Sequence, residues 1–238
     1  MNEFQSLILV IPDKPDSERF AVADAWHNYG GEVLKLGRFW EPPEIDRNKV
    51  RLYGDSTFCL VLEQKLNLKL VSPPDDILTS VSGEWLKRTV RLVQLKEAYG
   101  LKFPVFIKSL IPKVFRASVY RTRAELSEEC SGLEDDTRVI VSDIVKFVAE
   151  ARSFVLNGKV KTCAVYEGDA AVKDAERFTF SFAENNRLFI PKTCVIDVGC
   201  LDSGEWALIE TNATWGSGLN DCNPEKAAEC IAYATTTI

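Results

Sequence analysis

Asp197, Glu210 and Asn212 carry the clearest chemistry in this chain. They lie in Cys194 to Asn212, where two apolar, β-prone runs flank Asp202-Ser203-Gly204-Glu205. A Ser-Gly pair between such runs predicts an antiparallel hairpin. With Ser203 and Gly204 as a two-residue loop, Asp202 faces Glu205, and counting back along both strands sets Asp197 opposite Glu210. Asn212 then shares the face of Glu210, because side chains alternate along a strand. Two carboxylates directly opposite one another repel unless a cation sits between them. Oxygen donors suit a hard cation, Mg²⁺ or Mn²⁺, held by few carboxylates with waters and substrate phosphates completing the shell. The alternative is an ordinary solvent-facing hairpin whose acids are shielded by Lys or Arg neighbours. On the metal reading, Asp197→Asn or Glu210→Gln removes turnover and, without metal, leaves melting equal or raised because the repulsion is relieved.

Two more groups of charged residues accompany the acids. Val105–Ile107 and Val114–Tyr120 read as strands joined at Pro112, with Lys108 leaving the first and Lys113 entering the second. Two such lysines could meet a polyphosphate as point charges, or be solvated strand ends. Farther on, Glu150 and Arg152 fall on one face of an alternating strand among apolar neighbours. That pattern fits a salt-bridged surface or the wall of a reaction site.

Other chemistries are excluded by what the chain lacks. There is no Gly-x-Gly-x-x-Gly and no Gly-x-x-x-x-Gly-Lys, so bound phosphates must be met by side-chain cations. His27 is the only histidine and falls in a helix-like stretch, where a half-exposed surface role is expected, which leaves little material for a Ser-His-Asp triad. The seven cysteines are odd in number, widely spread and without a Cys-x-x-Cys pair, the usage of a reducing compartment rather than a zinc site. A net charge of −6 argues against a nucleic-acid-coating surface. The longest early apolar run, Leu7 to Ile11, is too short to cross a bilayer or to form the core of a secretory signal, so the expected location is the cytoplasm.

The elements that must position these residues are legible in outline. A hydrophobic content of 46% is ample for a packed core, and 238 residues allow one large domain or two small ones. Ser6 to Ile11 reads as a buried strand, Asp16 to Tyr29 as a helix closed by Gly30-Gly31, and Glu32 to Leu36 as a second strand. Gly54 and Asp55 separate a strand from a helix that Asp55 or Ser56 can cap, and Leu68 to Val71 gives another strand. Residues 1–83 are thus expected to form a small α/β domain, with Glu84 to Tyr99 as a bridging helix. Arg138 to Ser142 reads as a strand, and Asn223-Pro224 opens the last helix as N-cap and first position.

Taken in order, five pieces resemble the ATP-grasp superfamily, most closely its short stand-alone clade of uncharacterised bacterial and phage proteins. They are Phe106-Ile-Lys-Ser with Lys113-Val-Phe, Val139-Ile-Val-Ser-Asp-Ile-Val, Glu150-Ala-Arg-Ser-Phe-Val, Val195-Ile-Asp-Val-Gly, and Leu208-Ile-Glu-Thr-Asn-Ala-Thr-Trp-Gly-Ser-Gly-Leu219. Leu52 to Glu97 resembles the region preceding the grasp domain in that clade. The resemblance implies an α/β and α+β chain: two α+β lobes enclosing ATP across residues 84–238, preceded by a small Rossmann-like domain across 1–83. It also implies roles. Lys108 and Lys113 would contact ATP phosphates. Ser142, Asp143, Ile144 and Val145 would offer backbone to the adenine edge, with Glu150 also on the nucleotide side. Asp197, Glu210 and Asn212 would hold Mg²⁺ or Mn²⁺. Arg152, with Lys113, would serve catalysis, its planar fork facing the transferred phosphoryl group or a substrate carboxylate. The clade usually shows Arg-Pro where this chain has Lys108-Ser109, which keeps the charge. The implied reaction joins a small-molecule or peptide carboxylate to an amine or thiol through an acyl phosphate, with no nucleic-acid or membrane partner. A phosphotransferase using the same ATP site, or a non-catalytic nucleotide-binding module, are the other readings.

Overall fold

The computed structural model describes residues 3–112 and 114–237, so Lys113 lies outside the described residues. Strand β1 (Ile8–Pro12) is the apolar run expected of a strand covered on both faces. Helix α1 (Ser17–Asn28) begins where the Asp16 side chain accepts the Arg19 N–H at 2.9 Å. It ends before Gly30, whose φ of +87° a side chain would resist. Strands β2 (Glu32–Leu36) and β3 (Val50–Leu52) flank β1 in a parallel sheet of order β2-β1-β3. Asp55 caps α2 (Ser56–Lys65), which leads into β4 (Leu68–Leu70).

The stretch expected as one bridging helix, Glu84 to Tyr99, is broken into three pieces. After α3 (Ile77–Ser80), helix α4 (Gly83–Leu86) stops at Lys87, which takes a left-handed φ of 52°. Val90–Gln94 is instead β5, and only Leu95–Ala98 is helical again as α5. The reason is tertiary. The Val90–Gln94 run pairs residue for residue with a distant strand, and its valines suit that ladder. Strands β6 (Val105–Ser109) and β7 (Ser118–Tyr120), helix α6 (Arg123–Glu129) and strand β8 (Arg138–Ser142) complete a smaller antiparallel sheet of order β5-β8-β6-β7.

The larger antiparallel sheet, of order β10-β9-β11-β12, is built from β9 (Phe147–Leu156), β10 (Lys159–Gly168), β11 (Thr193–Leu201) and β12 (Trp206–Asn212). Alternation divides its two faces. Ala151, Val155, Ile196, Val198 and Leu208 bury against Phe182 and Ala175 of α7 (Val172–Asn185). On the opposite face Phe154 and Val195 pack under α1 and α8 (Pro224–Ile231), while Arg152 and Asp197 continue the same rows beyond that cover. The site residues therefore stand past the apolar cover of α1 and α8, with Arg152 and Asp197 still largely buried. Asn223 caps α8 with Pro224 at its start, as expected. The last strand, β13 (Thr235–Thr237), returns to pair with β4. No helix among the described residues is long and apolar enough to cross a membrane.

The β11–β12 hairpin reaches its register by a different route from the one counted on the sequence. Its loop has three residues, Asp202, Ser203 and Gly204: the Leu201 N–H donates to the Glu205 carbonyl at 2.8 Å, and Gly204 sits at φ +83°. Cys200 thus pairs with Trp206 and Val198 with Leu208, one residue out of step with a two-residue loop. A β-bulge between Val198 and Asp197 then absorbs Ile209, and Asp197 pairs with Glu210 after all.

Candidate functional site

Asp197 and Glu210 face each other across β11 and β12, and the cations that their proximity demands are supplied by neighbouring side chains. Arg152 stands beside Asp197 in register on β9. Its Nε donates to Asp197 Oδ1 at 2.8 Å and its Nη2 to Oδ2 at 2.7 Å, a two-point bond, while Nη1 donates to the Gly218 carbonyl at 3.0 Å. Asn212 Nδ2 bridges the acids, 3.0 Å from Asp197 Oδ2 and 2.9 Å from Glu210 Oε1. Lys108 Nζ reaches Glu210 Oε2 from β6 of the smaller sheet at 3.3 Å. Glu150 shares the face of Arg152 as alternation required, yet the two do not pair: Glu150 accepts the Tyr166 hydroxyl at 2.7 Å.

Burial sets the two acids apart. Asp197 is 2% exposed, and burial drives its carboxyl above the ordinary range, with the Glu210 charge adding and the Arg152 bond opposing. For Glu210 burial also pushes upward, but the Lys108 ammonium and the Asn212 amide outweigh it and hold the group below the usual value. Burial lowers Arg152, and its bond to Asp197 more than reverses that. Asp197 is therefore a fixed anchor and Glu210 an ionised group at a cavity wall.

Two cavities meet at Lys108 and Glu210. One, of about 370 Å³, is largely apolar, walled by Val90, Phe106, Ile140, Phe147 and Ile209 and edged by Ser142, Asp143, Ile144 and Val145. The Asp143 carboxylate accepts the Thr89 N–H at 2.9 Å, and bonding to the Thr89 side chain and then to its backbone lowers the Asp143 pKa. The Ser142 hydroxyl donates to the Asp143 carbonyl. Ile144 and Val145 border the slot, and their backbone groups make no hydrogen bond among the described residues. The other cavity, of about 390 Å³, is more polar, with Ser72, Asp75, Asn212 and Ser217 among its walls.

No group of three or more His, Cys, Asp or Glu side chains could hold a metal ion among the described residues. Glu210 and Asn212 at a cavity wall, with Asp197 buried directly behind them, nevertheless fit Mg²⁺ or Mn²⁺. They are too few for an all-protein cage and sufficient for a cation that arrives with phosphate oxygens and waters. Asn212 here presents Nδ2 to both acids, and a half-turn of its amide would present Oδ1.

Three participants have no signal in the sequence. Tyr166 is the extra residue of a bulge in β10 and orients Glu150. The Gly218 carbonyl steadies Arg152. Arg88 donates Nη1 to the Leu86 and Leu208 carbonyls at 2.9 and 2.8 Å and Nη2 to that of Ile209 at 3.4 Å. Its guanidinium also sits 5.8 Å from the Phe147 ring centre.

A family model describing an ATP-grasp domain, the second family of its clade, matches residues 85–230. No curated protein matches the chain. Solved structures similar in fold include a RimK domain ATP-grasp protein from Sphaerobacter thermophilus DSM 20745, 14% identical, with 95% of this chain and 98% of that one covered and a TM-score of 0.59. The ATP-grasp ligase PsnB complexed with minimal precursor is 11% identical, with 95% and 98% covered and a TM-score of 0.58. D-alanyl-alanine synthetase A from Vibrio cholerae O1 biovar eltor str. N16961 is 12% identical, with 97% and 98% covered and a TM-score of 0.55. At such identities the likeness is one of fold.

Proposed function

This chain belongs to the ATP-grasp family, and we propose that it is an ATP- and Mg²⁺-dependent ligase joining a carboxylate to an amine or thiol through an acyl phosphate. The observation that carries this reading is the meeting of an apolar slot and a polar cavity at one cation–acid cluster, Lys108 and Glu210. A nucleotide needs the first, and a second substrate needs the other.

In this account adenine lies between Val90, Ile140 and Ile209, its polar edge against the backbone of Ile144 and Val145. Lys108 leaves Glu210 for the phosphate tail, and Lys113 is assigned to the same tail. Asp197, Glu210 and Asn212 would hold Mg²⁺, which supplies charge neutralisation at the phosphate oxygens when bound. A substrate carboxylate oxygen attacks the γ-phosphorus, the bond to the β-phosphate oxygen breaks, and ADP leaves. The amine or thiol then attacks the acyl carbon, its proton is lost, and phosphate departs. Arg152 commits three of its five N–H donors to Asp197 and Gly218, which leaves two for phosphoryl or carboxylate oxygens from a fixed position. His27, exposed on α1, has no part in this chemistry.

Among the similar structures, PsnB is complexed with a precursor peptide, and another is a D-alanyl-alanine synthetase. A peptide or small amino acid is accordingly the substrate class to try first here. Lys108→Ala should weaken ATP about tenfold, the contribution of a charge-assisted hydrogen bond, and AMP hardly at all. Calorimetry with ATP, ADP and AMP checks this. Equal weakening of all three would contradict a phosphate role.

A further inference from the structure

The bulge at Ile209 is what turns Glu210 toward Asp197. Up to Val198–Leu208 the ladder follows the three-residue loop, and continued regularly it would set Ile209 opposite Asp197 and Glu210 opposite Ile196. Ile196 belongs to the core under α7, so Glu210 would enter an apolar layer and Asp197 would lose its partner. With the bulge, Ile209 and Glu210 both line the nucleotide slot, the one as apolar wall and the other as its acidic end.

A bulge interrupts the ladder and leaves backbone groups to be satisfied otherwise. The carbonyls concerned, Leu208 and Ile209, are those that Arg88 takes, and its remaining bond runs to Leu86 at the end of α4. Arg88 pairs with no carboxylate among the described salt bridges, so carbonyls rather than charges hold it. It lines the same slot, and Phe147 beneath it presses on Gly199, where an added Cβ would stand 2.2 Å from the ring.

We propose that Arg88 is a positioning residue: its three-carbonyl clamp holds the Ile209 bulge open and so aims Glu210 at Asp197 and the nucleotide phosphates. The link to metal use rests on the function proposed above, and the strand geometry does not. The experiment compares wild type, Arg88→Met, Arg88→Lys, a deletion of Ile209, and that deletion combined with Arg88→Met. Deleting Ile209 makes the ladder regular with Glu210 still opposite Asp197, so it removes the need for the clamp.

The first readout is the cross-strand proton contact between Asp197 and Glu210 by NMR, in the absence of nucleotide and metal. It should be lost in Arg88→Met, remain weak in Arg88→Lys because an ammonium cannot span the three carbonyls, and return in the combined variant. The second is the gain in affinity for a non-hydrolysable ATP analogue on adding Mg²⁺. That gain should fall about 10- to 100-fold in Arg88→Met, as for other groups that orient metal ligands, and the loss should vanish when the deletion alone is compared with the combined variant. Retention of the Asp197–Glu210 contact in Arg88→Met, or its failure to return in the combined variant, overturns the proposal. Should wild type itself show no Mg²⁺ gain, the metal reading fails while the NMR contact still decides the role of Arg88. If Arg88→Met does not fold, Arg88→Lys and the combined variant decide it by the same contact.

Discussion

Arg152→Ala is expected to lower the unfolding free energy by about 3–5 kcal/mol near neutral pH, the cost of stranding one member of a buried ion pair, and to abolish turnover. Asp197 is almost fully buried and depends on the guanidinium for both oxygens. Without it, the carboxyl can remain inside only by taking up a proton, since burial and the Glu210 charge already push it upward. The sign of the pH dependence follows. A buried acid whose folded pKa is raised costs nothing below its unfolded value of about 3.9, and the cost grows as pH rises through the folded value. The deficit relative to wild type should be smaller at pH 5 than at pH 8 in urea titrations. Arg152→Lys keeps the charge without the fork and should recover part of the stability and little of the activity. A loss below about 1 kcal/mol at both pH values, with activity intact, would reduce the pair to an ordinary surface ion pair.

Asp197→Asn and Glu210→Gln should separate in stability while agreeing in function. Each removes one charged donor from the proposed metal set and should eliminate most Mg²⁺-dependent nucleotide turnover. Asp197→Asn leaves Arg152 buried against a neutral amide and should also cost about 3 kcal/mol. Glu210 has a side chain 40% exposed and a partly exposed lysine as partner, so Glu210→Gln should change stability by no more than about 1 kcal/mol. Thermal melting without metal, beside turnover with it, checks both. This reverses the expectation from like-charge repulsion for Asp197, where relief should have left melting equal or higher. The repulsion is already answered by Arg152, and that partner could not be seen from the hairpin alone.

The strands that carry the site were legible because they alternate: Glu150 with Arg152, and Asp197 with Val195, follow from period two. Which side chains meet was less so. The pairing of Arg152 with Asp197 depends on β9 lying beside β11, 45 residues away in sequence. The opposition of Asp197 and Glu210 emerged correctly from two offsetting departures, a loop one residue longer than Ser-Gly suggests and a bulge one residue wide. The bulge leaves no local mark because its carbonyls are held by Arg88, 120 and 121 residues earlier. β5 read as helix for another reason: its short strand-prone run, Val90-Arg-Leu-Val-Gln94, lies between the helical turns α4 and α5, and its partner β8 is distant in sequence. Helix caps fared better. Asp55 and Asn223, read as caps, each open their own helix through a bond spanning three residues, which a sequence displays directly.

If the proposed acyl phosphate forms, an oxygen of the substrate carboxylate must leave with the phosphate. The protein is incubated with ATP, Mg²⁺ and pools of amino acids or peptides whose carboxylates carry ¹⁸O, together with amine acceptors. Released phosphate and conjugated products are then read by mass spectrometry. One ¹⁸O is expected in the phosphate for each conjugate formed, because the carboxylate oxygen that attacks phosphorus leaves with it. Unlabelled phosphate alongside the conjugate, or a stable phosphorylated alcohol accumulating with no conjugate, would contradict the acyl phosphate, and the second result would make the protein a phosphotransferase.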